Sequence, residues 1–146
     1  MLSRTTEYAV RALVAIFMEN ENGRRPGFRE VARLTEAPEQ YVAKILQIFT
    51  KRGYLKSVRG RGGGFFFPED KNDISLYKII LLMEGKEYFN RCGFGFKHCD
   101  ADNPCPLHNE YQEIRDSFTN LAKRESIRSL ALKIEQGEAV LNRLSV

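Results

Sequence analysis

Apolar residues in the first third of the chain recur three or four positions apart, which is the spacing of amphipathic helices. Three helices are predicted in this part of the chain, over residues 5 or 6 to 19, 28–35 and 38–52. Thr5 or Thr6 is suited to cap the start of the first helix, and Pro38 fits the first turn of the third. Gly53 is a natural stop for the third helix, because glycine adopts the backbone conformation that ends helices at little cost.

The third predicted helix has one apolar and one polar face. Its apolar positions follow the helical spacing and should face the core: Val42, Ile45, Leu46 and Phe49. Its outer face is polar and rich in amide groups, and it consists of Glu39, Gln40, Tyr41, Ala43, Lys44 and Gln47. Two short helices joined by a tight turn, the second with such an outer face, are typical of a helix-turn-helix, although any small helical hairpin shares this pattern.

Two short apolar runs, at residues 54–58 and 65–67, follow the third helix and are predicted strands. Between them, Arg59 and Arg61 alternate with glycines, so both guanidinium groups are expected at the tip of a β-hairpin. An arginine on such a thin tip is suited to enter a narrow minor groove of DNA. A nucleotide-binding loop is excluded, because neither the Lys-Ser/Thr pair nor the helix of such loops follows the glycines. The pattern therefore predicts a winged helix-turn-helix, mainly α with a small β-wing.

The second half of the chain is predicted to contain three further helices. Residues 71–73 form a polar linker, a helix over 75–84 ends at Gly85, and Ser126 caps a last helix that ends at Gly137. Between these, a long helix begins at Pro106 and carries a heptad-like apolar seam: Leu107, Tyr111, Ile114, Phe118 and Leu121. So small a domain cannot cover this seam alone, which predicts a long dimerisation helix and a homodimer. The alternative is packing against the chain's own first and last helices.

Basic residues concentrate in the first half of the chain. Residues 1–70 contain twelve Lys and Arg against eight Asp and Glu, whereas residues 71–146 contain eleven of each, so the formal charge of +4 belongs to the first half. Six of these basic residues, and no acidic ones, lie from Lys44 to Arg61. Such a localised basic stretch is expected for a surface that contacts DNA phosphates, although an ordinary solvated face has the same composition.

The three cysteines of the chain lie close together, and a histidine follows them. Cys92, Cys99, Cys105 and His108 have the spacing C-x6-C-x5-C-x2-H in a loop rich in glycine and polar residues. Thiolate and imidazole groups are the usual protein ligands of zinc and of iron–sulfur clusters. Cys105 and His108 are three positions apart at a predicted helix start, so their side chains share one face. The sequence thus predicts a metal centre with these four ligands.

The spacing also bears on which metal is bound. Structural zinc sites usually have pairs of cysteines two to four residues apart, and none of these gaps is that short. Wider gaps allow the loop to surround a bulkier group, which favours an iron–sulfur cluster, with zinc and free redox-active thiols as alternatives. We accordingly divide the chain into a DNA-binding domain at 1–70 and a second part at 71–146, which holds a cluster-binding loop at about 85–108 and the dimerisation helices.

Composition excludes several classes of protein. The apolar fraction of 42% and the charged fraction of 29% are those of an ordinary globular domain, and the longest apolar run, residues 12–18, is too short to cross a membrane. An odd number of cysteines excludes complete internal disulfide pairing, so a cytoplasmic protein with reduced or metal-bound thiols is expected. A nucleophilic Cys–His pair lacks an α/β framework here, and we predict that the chain is not an enzyme. A protein-interaction module that switches through its thiols is an alternative.

The chain resembles the Rrf-type winged-helix transcription regulators over nearly its whole length. The resemblance lies in the opening SRTTEYAVRAL at residues 3–13, in the wing SVRGRGGGF at residues 57–65, and in the cysteine loop. It implies a homodimer with crossed long helices, one recognition helix per subunit in the major groove of a pseudo-palindromic DNA duplex, and wing arginines at the backbone or minor groove. On this chain the implied DNA-contacting residues are Glu39, Gln40, Tyr41, Lys44, Arg59 and Arg61.

The resemblance also implies two ligand sets. The three cysteines and His108 match the iron–sulfur members, with a first gap one residue longer, and imply a 2Fe–2S cluster. In nitric-oxide-sensing members the fourth ligand is an acidic residue of the partner's first helix; Glu7 lies at about that position and would imply a 4Fe–4S cluster. Ala43 stands where iron–sulfur members have an operator-selecting glutamate. The implied function is sensing of iron–sulfur status, redox state or nitric oxide, and a zinc-stabilised regulator without sensing is the alternative.

Overall fold

The computed structural model describes residues 2–71 and 73–143, and within them the chain is mainly helical with one small sheet. The helices in this part are α1 Arg4–Glu21, α2 Phe28–Thr35, α3 Glu39–Lys51, α4 Leu76–Glu84, α5 His108–Arg124 and α6 Ile127–Glu135. Strands β1 Lys56–Val58 and β2 Gly64–Phe66 form an antiparallel hairpin after α3. Short 3-10 turns occur at Glu69–Lys71 and Tyr88–Asn90. The predicted fold class, mainly α with a β-wing, is confirmed.

The first helix begins earlier than the sequence pattern indicates. Ser3, rather than Thr5 or Thr6, caps α1, because its Oγ accepts a hydrogen bond from the N–H of Thr6 at 3.2 Å. Thr6 is instead fully buried, and its hydroxyl donates to a carboxylate oxygen of Glu84 at 2.9 Å. The predicted cap was wrong because a residue 78 positions away along the chain binds the threonine hydroxyl.

The contact of Glu84 with the start of α1 predicts a dependence of stability on pH. Burial raises the pKa of Glu84, but hydrogen bonds from Ser3 and Thr6 outweigh it and hold the pKa below its ordinary value of 4.5. The charged carboxylate therefore stabilises the folded state above about pH 4.5, and this contribution is lost as the pH falls through the lowered pKa. In urea unfolding, we expect the advantage of the wild type over Glu84→Gln to be smaller at about pH 3.5 than at about pH 7. An equal advantage at both pH values would contradict this prediction.

Helices α2 and α3 are arranged as the predicted helix-turn-helix. Glu36 in the turn has a left-handed backbone conformation with a φ of 56°, which lets the chain reverse direction in the short segment between the helices. Pro38 lies at the N-cap of α3, one position before the helical turn in which the pattern places it. The predicted apolar face of α3 is fully buried and consists of Val42, Ile45, Leu46 and Phe49. The polar face of α3 is consequently directed away from the core.

The wing hairpin is shorter than predicted and is held by the helical core. Its strands exclude Leu55 and Phe67, because their N–H groups donate outside the hairpin, to the carbonyl of Phe49 at 3.2 Å and to Oδ1 of Asn20 at 3.0 Å. Both side chains are buried in the core. Phe65 in β2 donates its N–H to the carbonyl of Pro26 at 2.8 Å, so the segment before α2 lies beside the hairpin. Asn20 in α1 spans the same junction: its amide donates to the Phe65 carbonyl at 3.2 Å, and its Oδ1 accepts from the N–H of Phe67 at 3.0 Å.

Asn20 is a wing-anchoring residue that no sequence pattern indicates. Besides its two wing contacts, its amide donates to the carbonyl of Arg24 at 2.9 Å. We expect Asn20→Ala to lower the free energy of unfolding by about 1–3 kcal/mol, because it leaves part-buried backbone groups without partners. Urea unfolding measures the loss. The matched control is Asn22→Ala, which removes one exposed hydrogen bond to Met18 and should cost less than about 1 kcal/mol. Equal losses in the two variants would contradict the anchoring role.

The larger hydrophobic core joins both halves of the sequence. Buried residues of α1, α2 and α3 pack in the same cluster as four residues from the second half, namely Ile74, Ile79, Ile127 and Ala131. A second cluster lies between α4 and α5 and contains Leu76, Ile80, Phe89 and Ala122. Among the described residues, no helix combines the length and the apolar character needed to cross a membrane. The boundary at residue 70 stays a prediction, since the two segments share a core.

The long helix α5 begins later than predicted, and much of its apolar seam is uncovered. It starts at His108, because the carbonyl of Cys105 accepts a hydrogen bond from the His108 N–H at 3.1 Å and the residues between them form a turn. Pro106 lies in that turn and not in the helix. Three seam residues lie seven positions apart and are exposed: Leu107 by 45%, Ile114 by 59% and Leu121 by 37%. They form one apolar stripe, which we call the α5 stripe.

Candidate functional site

The outer face of α3 is exposed and carries the predicted DNA-contacting side chains. Gln40, Tyr41 and Lys44 are all accessible on the first turns of the helix. The ring of Tyr41 also packs on Tyr8 of α1, with the ring centroids 5.7 Å apart. The guanidinium of Arg11 lies 5.3 Å from the Tyr8 centroid on the same helix. The orientation of the first turn of α3 therefore depends on the first half of α1.

Glu39, the first residue of α3, forms an ion pair across the helix-turn-helix. Its carboxylate lies 3.8 Å from Nε of Arg29 in α2, and both side chains are more than half exposed. A pair this exposed contributes less than about 1 kcal/mol, because water screens both charges. Either side chain can therefore exchange its partner for a DNA group at little cost. Arg29 was missed in the sequence analysis, because it lies outside the basic stretch that begins at Lys44.

The wing places Arg59 and Arg61 in the exposed segment between β1 and β2, where the hairpin pattern puts them. A further exposed arginine, Arg25, lies beside the wing, with its guanidinium 4.1 Å from the ring centroid of Phe66. Its neighbour Arg24 is instead engaged by Glu19 through two hydrogen bonds of 2.6 and 3.1 Å. The adjacent Arg24 and Arg25 are visible in the sequence as a basic pair, but spacing alone does not show which of the two lies beside the wing.

The cysteine loop leads from the second 3-10 turn to α5 and borders a basic cavity. Sγ of Cys99 lies 3.5 Å from Nδ1 of His108 at the start of α5. An open cavity of about 680 Å³ adjoins this pair, and its lining includes Arg91, Lys97 and Arg115. A basic cavity beside thiol and imidazole groups suits a bound group of negative charge.

Cys92 has surroundings that favour its thiolate. Burial raises the pKa of Cys92, but hydrogen bonds from the backbone N–H groups of Phe94 and Phe96 outweigh it and bring the pKa below the ordinary 9.0. The thiol of Cys105 and the N–H of Gly95 act in the same direction. Backbone N–H groups directed at a cysteine sulfur are one means by which proteins stabilise thiolate ligands of metal clusters.

The four predicted ligands form two neighbouring pairs. These pairs are Cys99 with His108 and Cys92 with Cys105. In the part of the chain that the structure describes, no three His, Cys, Asp or Glu side chains converge as metal ligands do, and all three cysteines are free thiols. The donor set, the N–H groups directed at sulfur and the basic cavity nevertheless fit an iron–sulfur cluster or zinc. Glu7 lies exposed in the first turn of α1, with its carboxylate 3.9 Å from Nε of Arg4.

The loop residue after Cys92 lies directly against α5. A Cβ atom added to Gly93 would come within 2.4 Å of Cγ in the ring of Tyr111, so only glycine allows this close approach. Tyr111 also belongs to the predicted apolar seam of α5. The position of Cys92 is therefore tied to the helix that carries the α5 stripe.

Several known proteins are similar to this chain over most of its length. The model of the Rrf2 family, described as an iron-dependent transcriptional regulator, matches residues 2–133. An HTH-type transcriptional regulator of Aquifex aeolicus is 28% identical over 138 residues, which are 93% of this chain and 94% of that protein. The HTH-type transcriptional repressor NsrR of Streptomyces coelicolor is 27% identical over 106 residues, or 73% and 67% of the two chains. The structure of T. potens IscR covers 100% of this chain and 96% of its own, with 18% identity and a TM-score of 0.72.

Proposed function

The chain belongs to the Rrf2 family of transcriptional regulators, and we propose that an iron–sulfur cluster held by its cysteine loop controls its binding to DNA. The resemblance found in the sequence is thereby confirmed at the level of the family. Members of this family regulate transcription by binding DNA and are not enzymes, which confirms the prediction that this chain is not an enzyme.

The composition and surroundings of the cysteine loop carry the proposal. Three free thiols and His108 lie between the second 3-10 turn and the first turn of α5, and backbone N–H groups are directed at Cys92. When bound, an iron–sulfur cluster is a group that changes on oxidation, on reaction with nitric oxide, or with the supply of iron–sulfur clusters. When residues 92–108 are ligated to one metal centre, they adopt one arrangement on α5. Without that ligation they adopt another. This difference biases the relative placement of the two recognition helices in a dimer.

We assign Cys92, Cys99, Cys105 and His108 as the ligands and favour a 2Fe–2S cluster. The 3.5 Å distance from Sγ of Cys99 to Nδ1 of His108 supports the imidazole as the fourth ligand. The alternative fourth ligand is Glu7 of the partner subunit, which would suit a 4Fe–4S cluster. Zinc is the alternative metal, and it would stabilise the loop without responding to redox state.

For DNA binding, we assign the exposed face of α3 to the major groove and the wing to the DNA backbone or minor groove. The contacting residues are Glu39, Gln40, Tyr41, Lys44, Arg59 and Arg61. The α5 stripe supports a homodimer, because its three apolar side chains are substantially exposed in the described chain. A two-fold symmetric dimer presents two α3 helices to the half-sites of a pseudo-palindromic operator. We place this regulator in the cytoplasm, together with its operator.

Anaerobic reconstitution with iron and sulfide tests the cofactor. We expect the wild type to acquire visible absorption, His108→Ala to change the absorption and Mössbauer spectra, and Glu7→Ala to leave both unchanged. A change in Glu7→Ala alone would assign the fourth ligand to the partner subunit. A colourless protein that retains stoichiometric zinc after this treatment would overturn the cluster proposal.

Binding to a duplex selected in vitro from a random pool tests the DNA contacts. We expect affinity to fall with rising salt, and Arg59→Ala to weaken binding by about 1–3 kcal/mol, or roughly fivefold to 150-fold. The matched control is Lys86→Ala. Lys86 is an exposed cation in the second half of the sequence, outside the segments assigned to DNA binding, and its loss should change affinity less than about twofold. Binding without a salt dependence and without an effect of Arg59→Ala would exclude the assigned interface.

A further inference from the structure

We propose that Glu84 and Arg91 are positioning residues that connect the cysteine loop to the first turn of α1, so that a displacement of Cys92 reaches the DNA-binding half of the chain. This inference rests on the proposed control of DNA binding by the loop. It adds a physical connection between the two sites. The connection consists of hydrogen bonds between segments that are far apart in sequence.

The first part of the connection joins α4 to α1. Glu84 is the last residue of α4, and one of its carboxylate oxygens accepts hydrogen bonds from the N–H of Ser3 at 3.0 Å and from the hydroxyl of Thr6 at 2.9 Å. Thr6 is fully buried, and its hydroxyl has two hydrogen-bond partners, this carboxylate and Oγ of Ser3 at 3.0 Å. A carboxylate at the first turn of a helix also interacts favourably with the helix dipole. The end of α4 and the start of α1 therefore move together.

The second part joins α4 and α5 to the residue that precedes Cys92. The guanidinium of Arg91 donates to the main-chain carbonyl of Glu84 at 3.3 Å and lies 5.1 Å from the ring centroid of Tyr88. The carbonyl of Arg91 in turn accepts a hydrogen bond from Nη1 of Arg115 in α5 at 3.2 Å. Arg91 is thus attached to α4 through its side chain and to α5 through its main chain.

Cys92 has little freedom to move independently of these contacts. Arg91 is fixed on one side of it, and on the other side Gly93 lies against the ring of Tyr111 with no space for a methyl group. A shift of the Cys92 backbone that accompanies gain or loss of a ligand at its sulfur therefore displaces Arg91, the loop backbone at Gly93, or both. Displacement of Arg91 changes its hydrogen bond to the carbonyl of Glu84, and the carboxylate of Glu84 binds the start of α1.

From the start of α1 the distance to the recognition helix is short. Tyr8 is two positions after Thr6, and its ring packs against Tyr41 on the outer face of α3. The path runs from Cys92 through Arg91 and Glu84 to α1 and α3. Packed elements connected in this way respond to a local shift as units, because close-packed interiors do not deform continuously.

The test compares DNA affinity in the cluster-loaded and cluster-free states. The probe is a duplex selected in vitro by the wild type in its tighter-binding state, and the readout is the ratio of dissociation constants between the two states. For the wild type we expect a ratio that differs from one by at least about fivefold. Glu84→Ala removes the carboxylate that accepts from Ser3 and Thr6, and we expect its ratio to lie within about twofold of one. A merely structural role would weaken both states equally and leave the ratio unchanged.

Two further variants serve as a control and as a substitute. Glu135→Ala is the matched control, because Glu135 is also a glutamate at the last position of a helix, α6, and is exposed; its ratio should equal that of the wild type. Thr6→Ala removes the hydrogen bond between Thr6 and Glu84 from the other side and replaces Glu84→Ala if that variant does not fold. A wild-type ratio of one overturns the proposed function and this inference together. A wild-type ratio of fivefold that persists in Glu84→Ala or Thr6→Ala overturns this inference alone.

Discussion

Replacing Gly64 with alanine should detach the wing from the helical core and remove tight DNA binding. Gly64 has a φ of +147°, which L-residues rarely adopt, and an added Cβ would lie 2.0 Å from the carbonyl oxygen of Arg25. The adjacent hydrogen bond from Phe65 to Pro26 depends on this close approach of the two backbones. We expect the free energy of unfolding, measured in urea, to fall by about 2–6 kcal/mol, because backbone strain and overpacking act together.

Gly62→Ala separates these two causes. Gly62 also has a positive φ, of +76°, but an added Cβ there would meet no atom within 4 Å. This variant should therefore cost only about 1–2 kcal/mol, from backbone strain alone. DNA affinity should follow the same order, with a larger loss for Gly64→Ala. If the two variants lost equal stability, the close contact with Arg25 would not be what holds the wing.

Replacing Gly93 with alanine should make a bound cluster roughly tenfold easier to lose. The added methyl group would overlap the ring of Tyr111, with 2.4 Å to Cγ, so the backbone that carries Cys92 must move away from α5. Overpacking of this kind costs about 1–3 kcal/mol, and about 1.4 kcal/mol corresponds to tenfold in an equilibrium constant. The measurement is the decay of visible absorption after a chelator is added anaerobically to the reconstituted protein.

A double-mutant cycle with Tyr111→Ala shows whether the ring is the cause. In the Tyr111→Ala background the methyl group has space, so adding Gly93→Ala should change the decay less than about twofold. A tenfold effect that persists without the ring would contradict the steric explanation.

The helix-turn-helix and its wing could be predicted because local spacing determines them. The apolar positions of α3 are three or four residues apart, and the structure buries all of them: Val42, Ile45, Leu46 and Phe49. The glycine run between two apolar runs likewise indicated a hairpin with Arg59 and Arg61 in its connecting segment. Such patterns depend on neighbours within a few residues, which the sequence lists directly.

Contacts between distant segments could not be predicted in this way. Three hydroxyl residues near the start of α1 are suited to cap it, and in the structure Ser3 is the cap while Thr6 is buried and donates to the carboxylate of Glu84. The start of α5 was misplaced for a similar reason. Proline favours a first helical turn, but the turn between Cys105 and His108 moves the start of the helix beyond Pro106.

The candidate metal centre could be predicted as a set of residues but not as a geometry. Spacing identifies three thiols and an imidazole as donors on one loop. Whether four donors converge depends on the bonds that a metal group itself forms, and these bonds are not encoded in the spacing. The N–H groups directed at Cys92 and the contact of Gly93 with Tyr111 appear only once the loop is folded on α5.

In the proposed homodimer, the α5 stripe makes the stability of the folded chain depend on its concentration. For two chains that bury Leu107, Ile114 and Leu121 against each other, association stabilises the folded state by mass action, and dilution lowers the melting temperature although no residue changes. A solitary subunit would expose this apolar strip to other proteins. Cellular abundance would then set the fraction of chains that are paired, and only paired chains present two α3 helices to DNA at once.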